Sequence, residues 1–142
     1  LCCFLARIAK KVITYDIRED FIKVVEQNKK FLKLNNLIIK KKNIYEGIIE
    51  KNVDLITLDL PEPWKALDAV AKSLKHGGFL MSYSPTIPQV SDFVEAVKQH
   101  EHFVYLKTIE IIEREWELEE RKIKPKSQPI GHSGFLTFVR RI

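Results

Sequence analysis

Apolar positions along this chain recur at two spacings, one of strands and one of helices. The stretch 4–11 (FLARIAKK) has the look of a helix end, and VITYD (12–16) is a short β-rich run that stops on an acid. From 19 to 34, Phe21, Ile22, Val24, Val25, Phe31 and Leu34 form a helical stripe amid Lys, Glu and Asn, and Asn35-Asn36 breaks it. LIIKKKN (37–43) reads as a second strand with a basic end, and the polar stretch 45–52 as one helical turn. VDLITLDL (53–60) is apolar without alternation, as expected of a strand buried on both faces of a parallel sheet. Residues 64–74 return to helical spacing, with Trp64, Leu67, Ala71 and Leu74 on one side, and HGG (76–78) supplies a helix C-cap signal. FLMSYSP (79–85) is the next strand, 88–100 a helix carrying Val90, Phe93, Val94 and Val97, and 103–112 a further strand. A charged arm, EREWELEERKIKPK, follows, and SGFLTFVRRI alternates like a half-buried strand.

Strands alternating with helices predict an α/β fold with a mostly parallel, doubly wound sheet. The last two strands have no helix between them, which predicts an antiparallel pair at one edge with the arm as an insertion. The composition of RKIKPKSQP is that of a linker.

At 142 residues, one domain is the default. No apolar run is long enough to cross a bilayer, and LCCFLARIA lacks the basic start of a secretory signal. The chain does not begin with Met, which reads as an internal cut and so as a fragment. A net charge of +5 permits a polyanionic partner without requiring one. Cys2 and Cys3 are the only cysteines; an adjacent pair cannot staple a loop, which points to a reducing, cytoplasmic setting. His100 and His102 flank Glu101, but there is no Cys/His set at metal-ligand spacing, so no metal is expected.

In open α/β sheets, ligands bind beyond the carboxyl ends of the strands. Tyr15-Asp16, Lys42-Asn43-Ile44, Asp59 and Tyr83-Ser84-Pro85 fall there. Asp16 either accepts both hydroxyls of a ribose or caps the next helix, with Glu19 completing a capping box. Asn43 either reads the edge of a base through its amide or serves a turn. Asp59 is sharper. A carboxylate ending a buried strand is costly unless something satisfies it, and Pro61 and Pro63 make helix capping awkward. The same prolines fix φ and stiffen the backbone over 59–62.

ITYDIREDFIKVVEQN, DLITLDLPEPWKAL, LKHGGFLMSYSPTIPQV, EREWE and GHSGFLTFVRR together resemble the tRNA (adenine-N1)-methyltransferases, in particular their archaeal and bacterial homotetrameric branch. The resemblance runs over essentially the whole chain. It implies a Rossmann-like, class I S-adenosylmethionine-dependent methyltransferase fold with an antiparallel last strand. It implies S-adenosylmethionine as cofactor, contacted by Tyr15, Asp16, Asn43, Ile44, Asp59 and Leu60, and Asp59 as the catalytic carboxylate. Pro61, Trp64, Tyr83, Pro85, Gln89 and His132 fall on the substrate side by the same resemblance. The family more often has Glu at the position of Asp16 and often an acid at that of Asn43. It acts on N1 of adenine 58 in the T-loop, and in some archaeal members also on position 57. Lys40, Lys41, Lys42, Arg121, Lys122, Lys124, Lys126, Arg140 and Arg141 are the candidates for tRNA phosphates.

The family's G-x-G-S-G cofactor loop, its first and central strand, and a small N-terminal domain are not found in this sequence. The implied sheet then has a gap between the strands ending at Asp16 and Asp59, and a chain of this extent is expected to fold marginally and bind cofactor poorly. A catalytically silent, tRNA-binding partner subunit is the alternative reading, as is a methyltransferase of the same class with another substrate. The retained Asp16 and Asp59 speak against the silent copy.

Overall fold

The computed structural model describes residues 1–126 and 133–142. They form two compact units, Leu1–Ile48 and Ile49–Ile142.

The first unit contains helix α1 (Cys2–Leu5), strand β1 (Val12–Asp16), helix α2 (Glu19–Phe31), strand β2 (Leu37–Lys41) and a 3-10 turn at Ile44–Glu46. β1 and β2 pair in parallel, from Val12 opposite Leu37 to Asp16 opposite Lys41. Ala6, Leu34 and Leu37 are its buried centre, with Cys2, Cys3, Val12, Val25 and Ile39 packed around them. The Asn36 amide donates to the carbonyls of Ala6 and Ala9, both at 2.8 Å, and so ties the end of the first helical segment to the start of β2. α2 ends at Phe31, three residues short of the expected 34, because Lys33 takes a left-handed conformation (φ 53°) that turns Leu34 into the core. Only part of the expected stripe is covered: Phe21 and Val24 are about half exposed, and Phe31 is 84% exposed. Both cysteines are free, and the Cys3 thiol is pushed up by burial and by the adjacent Cys2.

The second unit contains strand β3 (Val53–Asp59), a 3-10 turn at Pro63–Ala66, helix α3 (Leu67–Ser73), strand β4 (Leu74–Ser84), helix α4 (Ile87–Gln99) and strand β5 (Phe103–Glu110). Strands β6 (Trp116–Glu119), β7 (Lys122–Pro125) and β8 (Phe135–Arg141) complete it. Its main sheet has the order β3-β4-β8-β5. β3 and β4 are parallel, and β8 runs antiparallel to both β4 and β5. The expected antiparallel edge pair is therefore present, with β5 outermost and the last strand inserted beside β4. Phe93 and Val97 of α4 and Leu67, Val70 and Ala71 of α3 bury with Leu58, Leu80 and Val139 as the core. Fully burying a Val, Leu or Phe side chain contributes about 1.5–3 kcal/mol.

Three expectations fail here for local reasons. His76-Gly77-Gly78 does not cap a helix: α3 ends at Ser73, Leu74 is already extended, and the three residues lie inside β4. They absorb a register shift, since β4 opposes Val53 with Leu74 but Leu55 with Phe79. A Cβ at Gly78 would stand 2.8 Å from both the Leu74 side chain and the Lys75 carbonyl, so the glycine serves a backbone approach within the strand. β3 is not buried on both faces: Leu58 is 2% exposed but Leu55 is 44% exposed. Among the described residues of this unit, β4 is the one strand that pairs with it. The charged arm is not a linker over 116–125, where β6 and β7 form a hairpin with Trp116 opposite Pro125 and Leu118 opposite Ile123. Alternation puts those four residues on one face and leaves Glu117 opposite Lys124 and Glu119 opposite Lys122 on the other. The Glu120 φ of 50° makes the tight turn.

Candidate active site

The candidate residues gather at strand ends in each unit. In the first unit, β1 delivers Tyr15 and Asp16, and the backbone N–H of Lys42 donates to the Asp16 carbonyl (3.1 Å), holding the chain beyond β2 against it. The Asp16 carboxylate is half-buried, and its Oδ1 accepts from the Arg18 N–H at 2.8 Å. That is a local turn two residues long, so the alternative of a capping box with Glu19 is not realised. Arg18 is the residue preceding α2, and Glu19 instead meets the Lys41 ammonium at 2.9 Å. Arg18 also binds Asp20 at 2.6 Å, which holds the Asp20 carboxyl below its usual range. Its guanidinium lies 3.7 Å from the Phe21 ring centroid.

Asn43 precedes the 3-10 turn Ile44–Glu46, and its Oδ1 accepts from the Tyr45 N–H at 3.1 Å. The turn role and an outward role are compatible, since the Nδ2 donor is not used by that bond. Ile44 is half-buried. The ammonium groups of Lys40 and Lys42 lie about 6 Å from the Tyr15 ring centroid.

In the second unit, Asp59 is the last residue of β3 and stands opposite Tyr83 of β4. Its carboxylate is exposed and has no hydrogen bond or ion pair among the described residues. The burial expected for it is not found: Asp59 is exposed at the end of β3. Leu60 is half-buried and Pro61 exposed, and Glu62 begins the 3-10 turn with Pro63 at its first position. Pro63 and Ala66 are buried, Trp64 is half-buried, and Glu62 pairs with Lys65 at 2.7 Å. The prolines thus seat the loop rather than obstruct it.

Gln89 is turned toward this loop. Its Nε2 donates to the Pro61 carbonyl at 3.1 Å, and its Oε1 accepts from the Thr86 hydroxyl at 2.8 Å. Tyr83 donates its hydroxyl to the Ser133 carbonyl at 2.6 Å, and the Ser133 hydroxyl donates to the Ile111 carbonyl at 3.1 Å. These two bonds fasten both roots of the hairpin insertion. Gly134 (φ +132°) lies under the Tyr83 ring, where a Cβ would come within 2.4 Å of Cε2. Ser133 and Gly134 were no part of the sequence-based candidate set, because their role depends on a pairing some fifty residues away. Pro85 is exposed just past β4, and His132 lies outside the described residues.

The basic candidates divide. Arg141 is half-buried with its guanidinium on the Leu74 carbonyl, which makes it a structural tie. Lys126 pairs with Glu115, and Lys124 lies 3.4 Å from Glu117. Arg140 stacks near Phe79, 5.3 Å from its ring centroid. Arg121 and Lys122 are exposed at the hairpin tip. His100 meets Asp68 at 3.2 Å and accepts from the His102 N–H at 3.2 Å. Among the described residues no group of three or more His, Cys, Asp or Glu could hold a metal, and no helix is long and apolar enough to cross a membrane.

Known proteins share this chain's sequence pattern and its fold. Residues 10–128 match the model of the family described as tRNA methyltransferase complex GCD14 subunit. The chain is 38% identical over 157 residues to the tRNA (adenine(57)-N(1)/adenine(58)-N(1))-methyltransferase TrmI of Methanocaldococcus jannaschii, covering 92% of the chain and 55% of that protein. It is 36% identical to the tRNA (adenine(58)-N(1))-methyltransferase TrmI of Thermus thermophilus, covering 99% of the chain and 57% of that protein. Among solved structures, an S-adenosylmethionine-dependent O-methyltransferase of Thermotoga maritima superposes with a TM-score of 0.92 at 30% identity, covering 99% of the chain and 54% of that one. The tRNA (m1A58) methyltransferase TrmI of Aquifex aeolicus gives 0.89 at 26%, covering 99% and 57%. The chain spans about half the length of the curated relatives it matches. Its fold is the Rossmann-like fold of these methyltransferases. With most of its length inside the matching region, the chain belongs to the tRNA methyltransferase complex GCD14 subunit family.

Proposed function

We propose that the protein containing this chain transfers a methyl group from S-adenosylmethionine to N1 of an adenine in the T-loop of tRNA, at position 58 and in some substrates at 57. The observation that carries the reading is Asp59: an exposed carboxylate at the carboxyl end of a parallel strand, beside Tyr83, on a proline-stiffened loop, in a chain 38% identical to an enzyme named for this reaction.

The strand ends of the first unit suit an adenosine in chemical kind. Asp16 keeps Oδ2 to accept from ribose hydroxyls while Oδ1 is held by Arg18 N–H. Asn43 keeps Nδ2 to donate to an acceptor on the base edge, with Tyr15 and Ile44 as apolar walls. The cofactor supplies an electrophilic methyl group on a sulfonium. The remaining work falls to side chains of this chain.

The target base leaves its stack to be reached. Asp59 accepts a hydrogen bond from the exocyclic N6–H of adenine, which pushes electron density toward N1. The same carboxylate stabilises the positive charge that develops on the ring as N1 gains the methyl, and it is placed to accept the N6 proton as that charge is relieved. A preorganised group of this kind is worth about 3 kcal/mol. Leu60, Pro61, Trp64, Tyr83 and Pro85 hold the base in line, which is the larger share of the catalysis for a methyl transfer. In the second unit Arg121 and Lys122 at the hairpin tip, and in the first unit Lys40 and Lys42, are each candidates for phosphate contacts. The assembly we infer is a cytoplasmic homotetramer.

The test is incubation of the full-length protein with unmodified tRNA and methyl donor, followed by nucleoside mass spectrometry. 1-Methyladenosine is the expected product; a different methylated nucleoside, or none, overturns the reading.

A further inference from the structure

The sequence Thr86-Ile87-Pro88-Gln89 has the form of a helix capping box at the start of α4, with Thr86 at the N-cap and Gln89 three residues on. In a capping box the hydroxyl accepts from the backbone N–H of the third residue, and the third side chain returns to the N-cap N–H. Neither bond is made by these side chains: Thr86 has no side-chain cap bond. Its hydroxyl instead donates to Gln89 Oε1 (2.8 Å), and Gln89 Nε2 donates to the Pro61 carbonyl (3.1 Å). The orientation of the amide follows, because a carbonyl can only accept. Gln89 is half-buried and both ends of its amide are occupied.

Pro61 is two residues past Asp59, and its ring fixes its own φ. Fixing its carbonyl as well leaves the segment from Asp59 to Pro61 little freedom. We propose that Thr86 and Gln89 form a strut that positions the Asp59 loop, so that Gln89 acts on catalysis through Pro61 and not by touching the substrate. The pair gives up helix capping to hold a loop, which is the local compromise expected beside a site that must be rigid. This inference rests on the methyl-transfer reading for its catalytic part only.

Gln89→Glu separates the strut from stability. The carboxylate loses the donor that Pro61 needs, yet an acid in the first turn of α4 and a restored capping box favour the helix. In the full-length protein, Gln89→Glu is expected to keep or raise the melting temperature and to speed amide exchange over 60–65. It should lower kcat about tenfold with little change in KM for the methyl donor, as loss of positioning does. Thr86→Val should act in the same direction more weakly, and Thr86→Ser should restore the parent values. Unchanged exchange over 60–65 in Gln89→Glu overturns the strut. Faster exchange with kcat within twofold of the parent overturns its positioning role. If the parent makes no 1-methyladenosine, the proposed reaction fails, while the exchange comparison still decides the strut.

Discussion

Asp59 and Tyr83 are cross-strand partners at the last paired position of the parallel β3–β4 ladder. Register partners on adjacent strands share a face of the sheet. One of the pair is an exposed carboxylate, and the other is fastened through its hydroxyl to the Ser133 carbonyl. The reactive candidate is thus held by backbone pairing on its ladder side and by the Pro61 tie on its loop side.

Replacing Asp59 with Asn keeps the shape and removes the carboxylate. In the full-length protein kcat for tRNA methylation should fall about a hundredfold, in line with loss of a preorganised electrostatic group. Methyl-donor affinity, read by calorimetry, should fall far less. Near-parent turnover would show that Asp59 does not polarise the base.

Tyr83→Phe removes one hydrogen bond and keeps the ring over Gly134, so denaturant unfolding should show a loss of about 1 kcal/mol. Gly134→Ala is expected to cost more, about 2 kcal/mol, because the new methyl meets the ring and the residue sits at a strongly positive φ. The reverse order of the two losses would place the support of this corner elsewhere.

Asn43 separates a turn role from a ligand role. Asn43→Asp keeps the acceptor for the Tyr45 N–H and loses the Nδ2 donor. Stability should be unchanged, with a measurable change in cofactor affinity. Asn43→Ala loses the cap and should destabilise by about 0.5–1 kcal/mol. Equal cofactor affinity in the parent and Asn43→Asp would leave Asn43 a turn residue.

The base of the β6–β7 hairpin is titratable. The Lys126 ammonium, hydrogen-bonded to Glu115, holds that carboxyl below its usual range, and Glu115 in turn raises Lys126. A depressed carboxyl stabilises above its unfolded value, about 4.3, and loses this as pH falls through the folded one. A raised ammonium stabilises below about 10.4 and loses this as pH rises through its folded value. Exchange of the Lys126 amide, which donates to the Glu115 carbonyl at 2.9 Å, should therefore be slowest relative to intrinsic rates between these limits. Glu115→Gln should flatten the acid side. An unaltered acid limb would assign the protection to the backbone alone.

Much of this was legible from period and punctuation. The strands at Val12–Asp16 and Leu37–Lys41 and the helix Ile87–Gln99 lie within a residue or two of where spacing put them, because short β-branched runs and a helical stripe are local signals. Asp16, Asn43 and Asp59 were placed at strand ends by the same means. What was not legible depends on partners far along the chain. His76-Gly77-Gly78 spelled a helix cap and made a bulge, because β3 required a register shift there. Gln89 ties its amide to the Pro61 carbonyl, a contact 28 residues back along the chain that no local pattern announces. The linker-like arm became a hairpin because Trp116, Leu118, Ile123 and Pro125 alternate in phase across a turn that charge counting hides.

The two-faced hairpin answers salt in two opposite ways. Added electrolyte screens the half-buried Glu117–Lys124 pair and the exposed Glu115–Lys126 pair, and loosens that face. A strongly hydrated salt such as sulfate makes burial of Trp116, Leu118 and Ile123, each more than half exposed, more favourable. Chloride and sulfate at equal ionic strength should therefore drive this one element apart in behaviour, toward fraying in the first and toward self-association in the second.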